Sequence, residues 1–137
     1  MWIQRELTLD PRPRGFHLVT REVVAALPEL DTMSVGLLHL HILHTSASLT
    51  LNENASPDVR RDFETWANAA VPAQFAWTHT DEGPDDMPAH VRSILTQTSL
   101  SIPVERARCD LGTWQGVYLW EHRTAPHRRR ITVSVVG

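Results

Sequence analysis

Apolar side chains recur along this chain with two different periods, and the switch between them marks out the elements. From Val35 to His44, Leu38, Leu40 and Ile42 share one parity with His44, and Val35, Leu37 and Leu43 share the other with His39 and His41. Two largely apolar faces predict a central strand covered on both sides. Ala47 to Glu53 alternates more plainly, with Leu49 and Leu51 on one face and Ser48, Thr50 and Asn52 on the other. Leu100, Ile102 and Val104 alternate in the same way. Val117 to Trp120 and Ile131 to Val136 predict two more strands, joined by a polar turn near Pro126. Trp2 to Leu9 is an opening strand, broken by Pro11 and Pro13.

Elsewhere the period lengthens to that of a helix. Ser56 and Pro57 read as an N-cap followed by proline at the first helical position. Val59, Phe63, Trp66, Ala67 and Ala70 then form one apolar stripe that closes at Pro72. Thr20 is a candidate cap for a short helix carrying Val23, Val24 and Leu27, ended near Pro28. Another helix is expected from about Pro88, with Val91, Ile94 and Leu95 inward. Strands, then helices, then strands predict an α+β fold with a mostly antiparallel sheet. No repeat or linker divides the chain, so residues 1–137 are expected to form a single domain.

Composition narrows the function. A formal net charge of -3 disfavours a nucleic-acid partner. All thirteen basic residues are arginine, which excludes Schiff-base chemistry and a nucleotide-loop lysine. The run Arg128-Arg129-Arg130 reads either as a solvated strand end or as a phosphate clamp. Cys109 is the lone cysteine, so no intrachain disulfide forms. No signal-peptide core or membrane-length apolar run occurs, and a cytoplasmic protein without a membrane partner is expected.

The densest chemistry lies between Asp81 and His90, where four carboxylates, two prolines and a histidine share ten residues. Asp86 or Asp85 could cap the helix at Pro88, which puts His90 in its first turn. His79, Glu82, Asp86 and His90 together offer two imidazoles and two carboxylates, an inventory that suits a divalent metal ion, zinc or magnesium. His39 and His41 share a strand face as metal ligands do, or they pack at a sheet surface or subunit contact. His44 ends its strand on the other parity, before the hydroxylated turn Thr45-Ser46, whose backbone donors suit an anion. Asn52 and Glu53 precede a helix on which Asp58 and Asp62 lie one turn apart, placed to hold a cation or to pair with Arg61 and Arg123. Gly112 and Gly116 bracket Trp114, which could stack on a ring, and Gln115, which could donate and accept hydrogen bonds; a β-bulge with a packed tryptophan is the plainer reading. Glu121-His122-Arg123 closes a strand with three ionisable groups.

These blocks resemble the YjbQ family, labelled secondary thiamine-phosphate synthase. The resemblance rests on His44-Thr-Ser-Ala-Ser-Leu-Thr-Leu-Asn-Glu-Asn, Glu82-Gly-Pro-Asp-Asp-Met-Pro-Ala-His90, and Gly112-Thr-Trp-Gln-Gly116 followed by Glu121-His-Arg. Met1-Trp-Ile-Gln-Arg and Gly15-Phe-His-Leu-Val-Thr20 are similar to its N-terminus. The resemblance implies an α+β sandwich, a homotrimer, and a polar pocket near the subunit contacts. It also implies an ability to join hydroxymethylpyrimidine diphosphate to thiazole phosphate. Motif membership extends to His44, Asn52, Glu53, Glu82, Asp86, His90, Gln115 and Glu121. Chemistry then assigns expected roles. His79, Asp86 and His90 hold the cation, with Glu82 in support. Thr45, Ser46 and Arg123 hold phosphate, Trp114 forms an aromatic wall, and Asn52 and Gln115 contact the substrate. His44, Glu53, Glu82, His90 and Glu121 are the candidate catalytic groups. A metal-assisted hydrolase of a small phosphate ester, with Glu53 or Glu82 as base, and a non-catalytic trimeric ligand-binding module are the alternatives.

Overall fold

Alternation decides the sheets. The computed structural model describes residues 1–137. The strands are β1 (Trp2–Arg12), β2 (Gly15–Leu18), β3 (Val35–Ile42), β4 (Ala47–Glu53), β5 (Ser99–Glu105), β6 (Arg108–Cys109), β7 (Gln115–Glu121) and β8 (His127–Val136). The helices are α1 (Thr20–Ala25), α2 (Pro57–Ala70) and α3 (Asp86–Ser93), with a 3-10 turn over Pro28–Thr32. One sheet has the order β1-β8-β3-β5-β6 and the other β2-β7-β4. All pairings are antiparallel. The α+β class with mostly antiparallel sheets is as expected.

The inward rows of the two sheets form the core. Leu38, Leu40, Ile42, Ile102, Val133 and Val135 from the larger sheet meet Ala47, Leu49, Val117 and Leu119 from the smaller one. Each such buried aliphatic chain contributes about 1.5–3 kcal/mol. Val23 and Leu27 of the α1 segment join the same cluster. Helices α2 and α3 pack on the outside of the smaller sheet. There Phe16 stacks on Trp120 at 4.4 Å between centroids, and Phe63 of α2 approaches Phe16 to 5.0 Å.

Four expectations change. Strand β1 runs through Pro11 to Arg12, because it is a sheet edge and its register shifts between Leu9 and Arg12; both features tolerate a missing donor. Thr20 caps nothing: its Oγ1 accepts from the Val117 backbone N–H at 2.9 Å, tying α1 to β7. Strand β3 is covered on one face only within the chain, and Val35 on the other face is 71% exposed. On that outer face His39 and His41 meet Ser101 and Ser99 across the strand pair. Helix α3 begins at Asp86 rather than Pro88, so His90 lies in its second turn. It buries Asp86, Pro88, Ala89 and Arg92, whereas Ile94 and Leu95, beyond its end, are exposed. The sequence misleads there because two residues of the buried face are charged. Strands β2 and β6, of four and two residues, are too short to announce themselves by alternation.

Candidate functional site

The acidic segment before α3 folds onto the end of β7. Asp85 is the N-cap residue of α3, yet its carboxylate does not cap the helix. It accepts instead from Arg123 Nε at 2.9 Å, from the Thr124 backbone N–H at 2.9 Å and from Thr124 Oγ1 at 3.2 Å. Asp86 stands next to it, buried, with Oδ1 accepting from Arg123 NH1 at 2.8 Å. A third donation, from Arg123 NH2 to the Glu82 carbonyl at 2.9 Å, completes the docking. One guanidinium thus stitches the loop to the end of the smaller sheet.

That leaves the second oxygen of Asp86, and two imidazoles converge on it. His79 Nε2 lies 2.7 Å and His90 Nε2 3.1 Å from Asp86 Oδ2. Asp86 and His90 are one helical turn apart and so share a face of α3; His79 comes from the preceding loop. One ligand atom from each of the three residues lies within 4.8 Å of the others. His90 Nδ1 lies 2.8 Å from the Thr45 carbonyl oxygen, which also accepts from Ser93 Oγ at 2.9 Å. A carbonyl only accepts, so His90 Nδ1 carries a proton. In neutral His90, Nε2 then presents a lone pair to a carboxylate oxygen. The contact is favourable only when a proton or a metal cation lies between them. An imidazole held by a backbone carbonyl with its other nitrogen turned to a shared point is how metal-ligating histidines are oriented. Two imidazoles and a carboxylate fit a borderline-soft cation such as zinc better than magnesium.

Charge reinforces the cluster. Burial works against ionisation of Asp85, but hydrogen bonds from Arg123 and Thr124 and the Arg123 charge prevail, holding its pKa at about 2. Asp86 is likewise held below the ordinary carboxylate value: burial opposes this, and the His79 hydrogen bond and the nearby His90 and Arg123 charges outweigh it. The carboxylates in turn raise Arg123, chiefly through the hydrogen bond to Asp85.

Several other candidates are engaged elsewhere. His44 Nε2 accepts from the Arg130 backbone N–H at 2.8 Å; burial first, then the Arg129 and Arg130 charges, lower its pKa. Thr45 serves the cluster through its carbonyl. Ser46 Oγ is taken by Arg129 at 3.0 Å. Glu121 is 1% exposed and receives Arg129 on both oxygens, at 2.6 and 2.7 Å; it holds the two sheets together and faces no solvent. Glu53 accepts from the backbone N–H groups of Ala55 and Ser56 ahead of α2. Glu82 gives the cluster its carbonyl oxygen, while the residue is exposed.

Asn52, Trp114 and Gln115 stand apart for a simple reason. Glu53 pairs with Gln115 and Asn52 with Gly116 at one end of the β4–β7 ladder, and Ala47 pairs with Glu121 at the other. Six strand steps separate the ends by about 20 Å. Trp114 is 66% exposed, and Gln115 Oε1 accepts from the Gly112 N–H at 2.8 Å. A Cβ at Gly116 would lie 2.6 Å from Leu18 Cδ2 and 3.2 Å from Asn54 Cβ, so the Leu18 side chain would have to shift to admit one. Asp58 pairs with Arg61 on the surface of α2, away from any cluster.

Sequence reasoning passed over Ser48, Arg92, Thr96 and the imidazole of His122. His122 is 1% exposed, with Nε2 2.9 Å from Ser48 Oγ and its edge against Trp120. Ser48 in turn meets Thr96 Oγ1. Burial, then the charges of Arg92, Arg129 and Arg14, push the His122 pKa down to about 2. Strand parity was the available signal: Ser48 and His122 share the outer face of the smaller sheet with Thr50 and Trp120.

Comparison with known proteins adds the lineage. A family model described as "UPF0047 protein YjbQ-like" matches residues 5–137. The UPF0047 protein YjbQ of Salmonella typhimurium is 50% identical over 137 residues, covering 100% of this chain and 99% of that protein. A Clostridium acetobutylicum crystal structure, described as an uncharacterized conserved protein of the yjbq/upf0047 family, is 31% identical with a TM-score of 0.85, covering 96% of this chain and 99% of that one. A YbjQ-like protein of unknown function from Sulfolobus solfataricus shares the fold at a TM-score of 0.88 and 19% identity, covering 100% and 98%.

Proposed function

The chain belongs to the YjbQ-like UPF0047 family, and from that premise we propose that it is an enzyme whose His79, Asp86 and His90 hold a divalent metal ion beside a small phosphorylated substrate. The observation that carries this reading is the arrangement of His90, with Nδ1 committed to the Thr45 carbonyl and Nε2 turned to the Asp86 oxygen that His79 also faces. A cation held there would supply positive charge to an anionic oxygen and acidify a bound water. The protein's own contribution is orientation. Thr45 fixes the ring of His90, and Arg123 fixes the carboxylate of Asp86, leaving Arg123 to act on the substrate only as a nearby charge.

The reaction we assign first is the joining of hydroxymethylpyrimidine diphosphate to thiazole phosphate, the activity that the family resemblance implies. Metal-assisted hydrolysis of a small phosphate ester is the second reading. It is favoured by the position of Trp114 and Gln115 at the far end of the β4–β7 ladder from the ligand trio, since hydrolysis needs neither. Purified protein, stripped with chelator and reloaded with zinc or magnesium, is assayed for thiamine phosphate from the two precursors and for phosphate release from an ester panel without acceptor. His90→Ala is expected to lose metal and turnover together. A wild type that binds neither metal, or a His90→Ala variant with full turnover, removes the reading.

We assign the open face of the larger sheet to the subunit contacts of a homotrimer. Trp2 and Val35 are 70% and 71% exposed there, against the expectation of a covered β3. Light scattering after size exclusion checks this, and Val35→Glu is expected to yield monomers.

A further inference from the structure

A cleft of about 410 Å³ opens over the outer face of the smaller sheet, between α2 and the segment that follows α3. Phe16, Phe63, Trp66, Trp120 and Leu95 form its apolar walls. Thr50, Asn52 and Thr96 form its polar edge. None of these side chains is ionisable, so a charged guest would lose its hydration without compensation. Trp66 is 59% exposed although it belongs to the apolar stripe of its helix, and flat aromatic walls suit a planar ring.

The polar edge has a direction. Asn52 Oδ1 already accepts from the Glu53 N–H at 2.8 Å, so Asn52 has its amide N–H groups left to offer. Thr96 Oγ1 is the outer member of a chain that continues through Ser48 Oγ to His122 Nε2. His122 Nδ1 is buried without any partner. A buried orphan N–H is rarer and more costly than a bare lone pair. The His122 proton therefore sits on Nε2 and is donated to Ser48, Ser48 donates to Thr96, and Thr96 donates outward. The low pKa of His122 agrees with a ring that stays neutral.

We propose that this cleft binds a neutral, planar heteroaromatic ring that brings hydrogen-bond acceptors, such as ring nitrogens or a ring carbonyl, to Asn52 Nδ2 and Thr96 Oγ1. The site is independent of the metal reading, and its test is run on chelator-treated protein so that either can fail alone. Quinoxaline, a bicycle with two acceptors and no donor, is compared with indole, a bicycle of similar size with one donor and no acceptor. Both are titrated by saturation-transfer NMR and calorimetry. Quinoxaline is expected to bind with a Kd on the order of 1 mM, as a ligand of ten heavy atoms can, and indole about tenfold more weakly, because its ring leaves the donors unpaired. Trp66→Ala abolishes quinoxaline binding and Thr96→Val weakens it about tenfold, with melting temperatures confirming that both variants fold. Failure of quinoxaline to bind, equal binding of indole, or undiminished binding to either folded variant overturns the proposal. A Trp66→Ala variant that does not fold passes its role to Phe63→Ala, judged by the same readout.

Discussion

Two carboxylate–arginine clusters sit at the same end of β7 and do different work. Glu121 and Arg129 meet between the sheets, 1% and 3% exposed. Each Glu121 oxygen takes a guanidinium nitrogen, and Arg129 NH2 also reaches the Ser46 hydroxyl and carbonyl. Both oxygens of the Glu121 carboxylate are thus engaged, and neither is left to offer a ligand. Asp86 and Arg123 have the same two functional groups, but Arg123 takes one oxygen of Asp86 and spends its other contacts on Asp85 and the Glu82 carbonyl. The second Asp86 oxygen is left to two half-exposed imidazoles. Engaging both carboxylate oxygens makes Glu121 a brace, and the Asp86 oxygen left to the imidazoles is the one we propose as a metal ligand. Strand alternation separates the two: Glu121 shares the inward parity of Val117 and Leu119, while Arg123 lies past the strand end.

The largest expected effect tests the brace. Glu121→Leu leaves the Arg129 charge buried and unpaired and should cost about 3–5 kcal/mol in urea unfolding. Adding Arg129→Leu should recover more than half of that loss. Recovery by the double variant alone would show that the pair itself contributes little. Asp86→Asn tests the ligand: zinc affinity by calorimetry should fall by more than about 100-fold, since even indirect supports of a metal site are worth 10–100-fold. The same substitution should leave the Glu121–Arg129 brace intact, so the variant should still unfold cooperatively.

Protons provide a finer test. His122 has a folded pKa of about 2 against an ordinary 6.5. Between those values the unfolded chain takes up a proton that the folded chain refuses. Its contribution is complete above pH 6.5 and declines as pH falls, by about 1.4 kcal/mol per pH unit for one proton. His122→Gln should remove that slope between pH 6 and 5, measured from urea midpoints, and an unchanged slope would contradict a buried neutral ring. Asp85 acts lower down: its depressed pKa stabilises the fold above about pH 4, and that contribution is lost as pH falls toward 2. The smallest effect belongs to an exposed pair. Asp58→Ala, which frees Arg61 on the surface of α2, should change stability by less than about 0.5 kcal/mol.

Alternation and helical period by themselves determined the class of the fold and most of its elements: β4 and the Ser56–Pro57 start of α2 agree with the structure residue for residue. The crowding of His79, Asp86 and His90 within twelve positions also pointed to the convergence of these three side chains, because two of them share one helix face and need no long-range contact to meet. The rest depended on strand pairing and the layers packed over it. Pairing decided what lies beside each end of β7: Gln115 is set against Glu53 and Glu121 against Ala47, while the extended strand itself holds those ends about 20 Å apart. Packing decided that Glu121 is a brace, that Thr45 acts through its carbonyl, and that Ser48, Thr96 and His122 form one line. A side chain's chemistry is written in its residue type, but whether its polar atoms are free is set by neighbours far away in sequence, and those only the folded chain supplies.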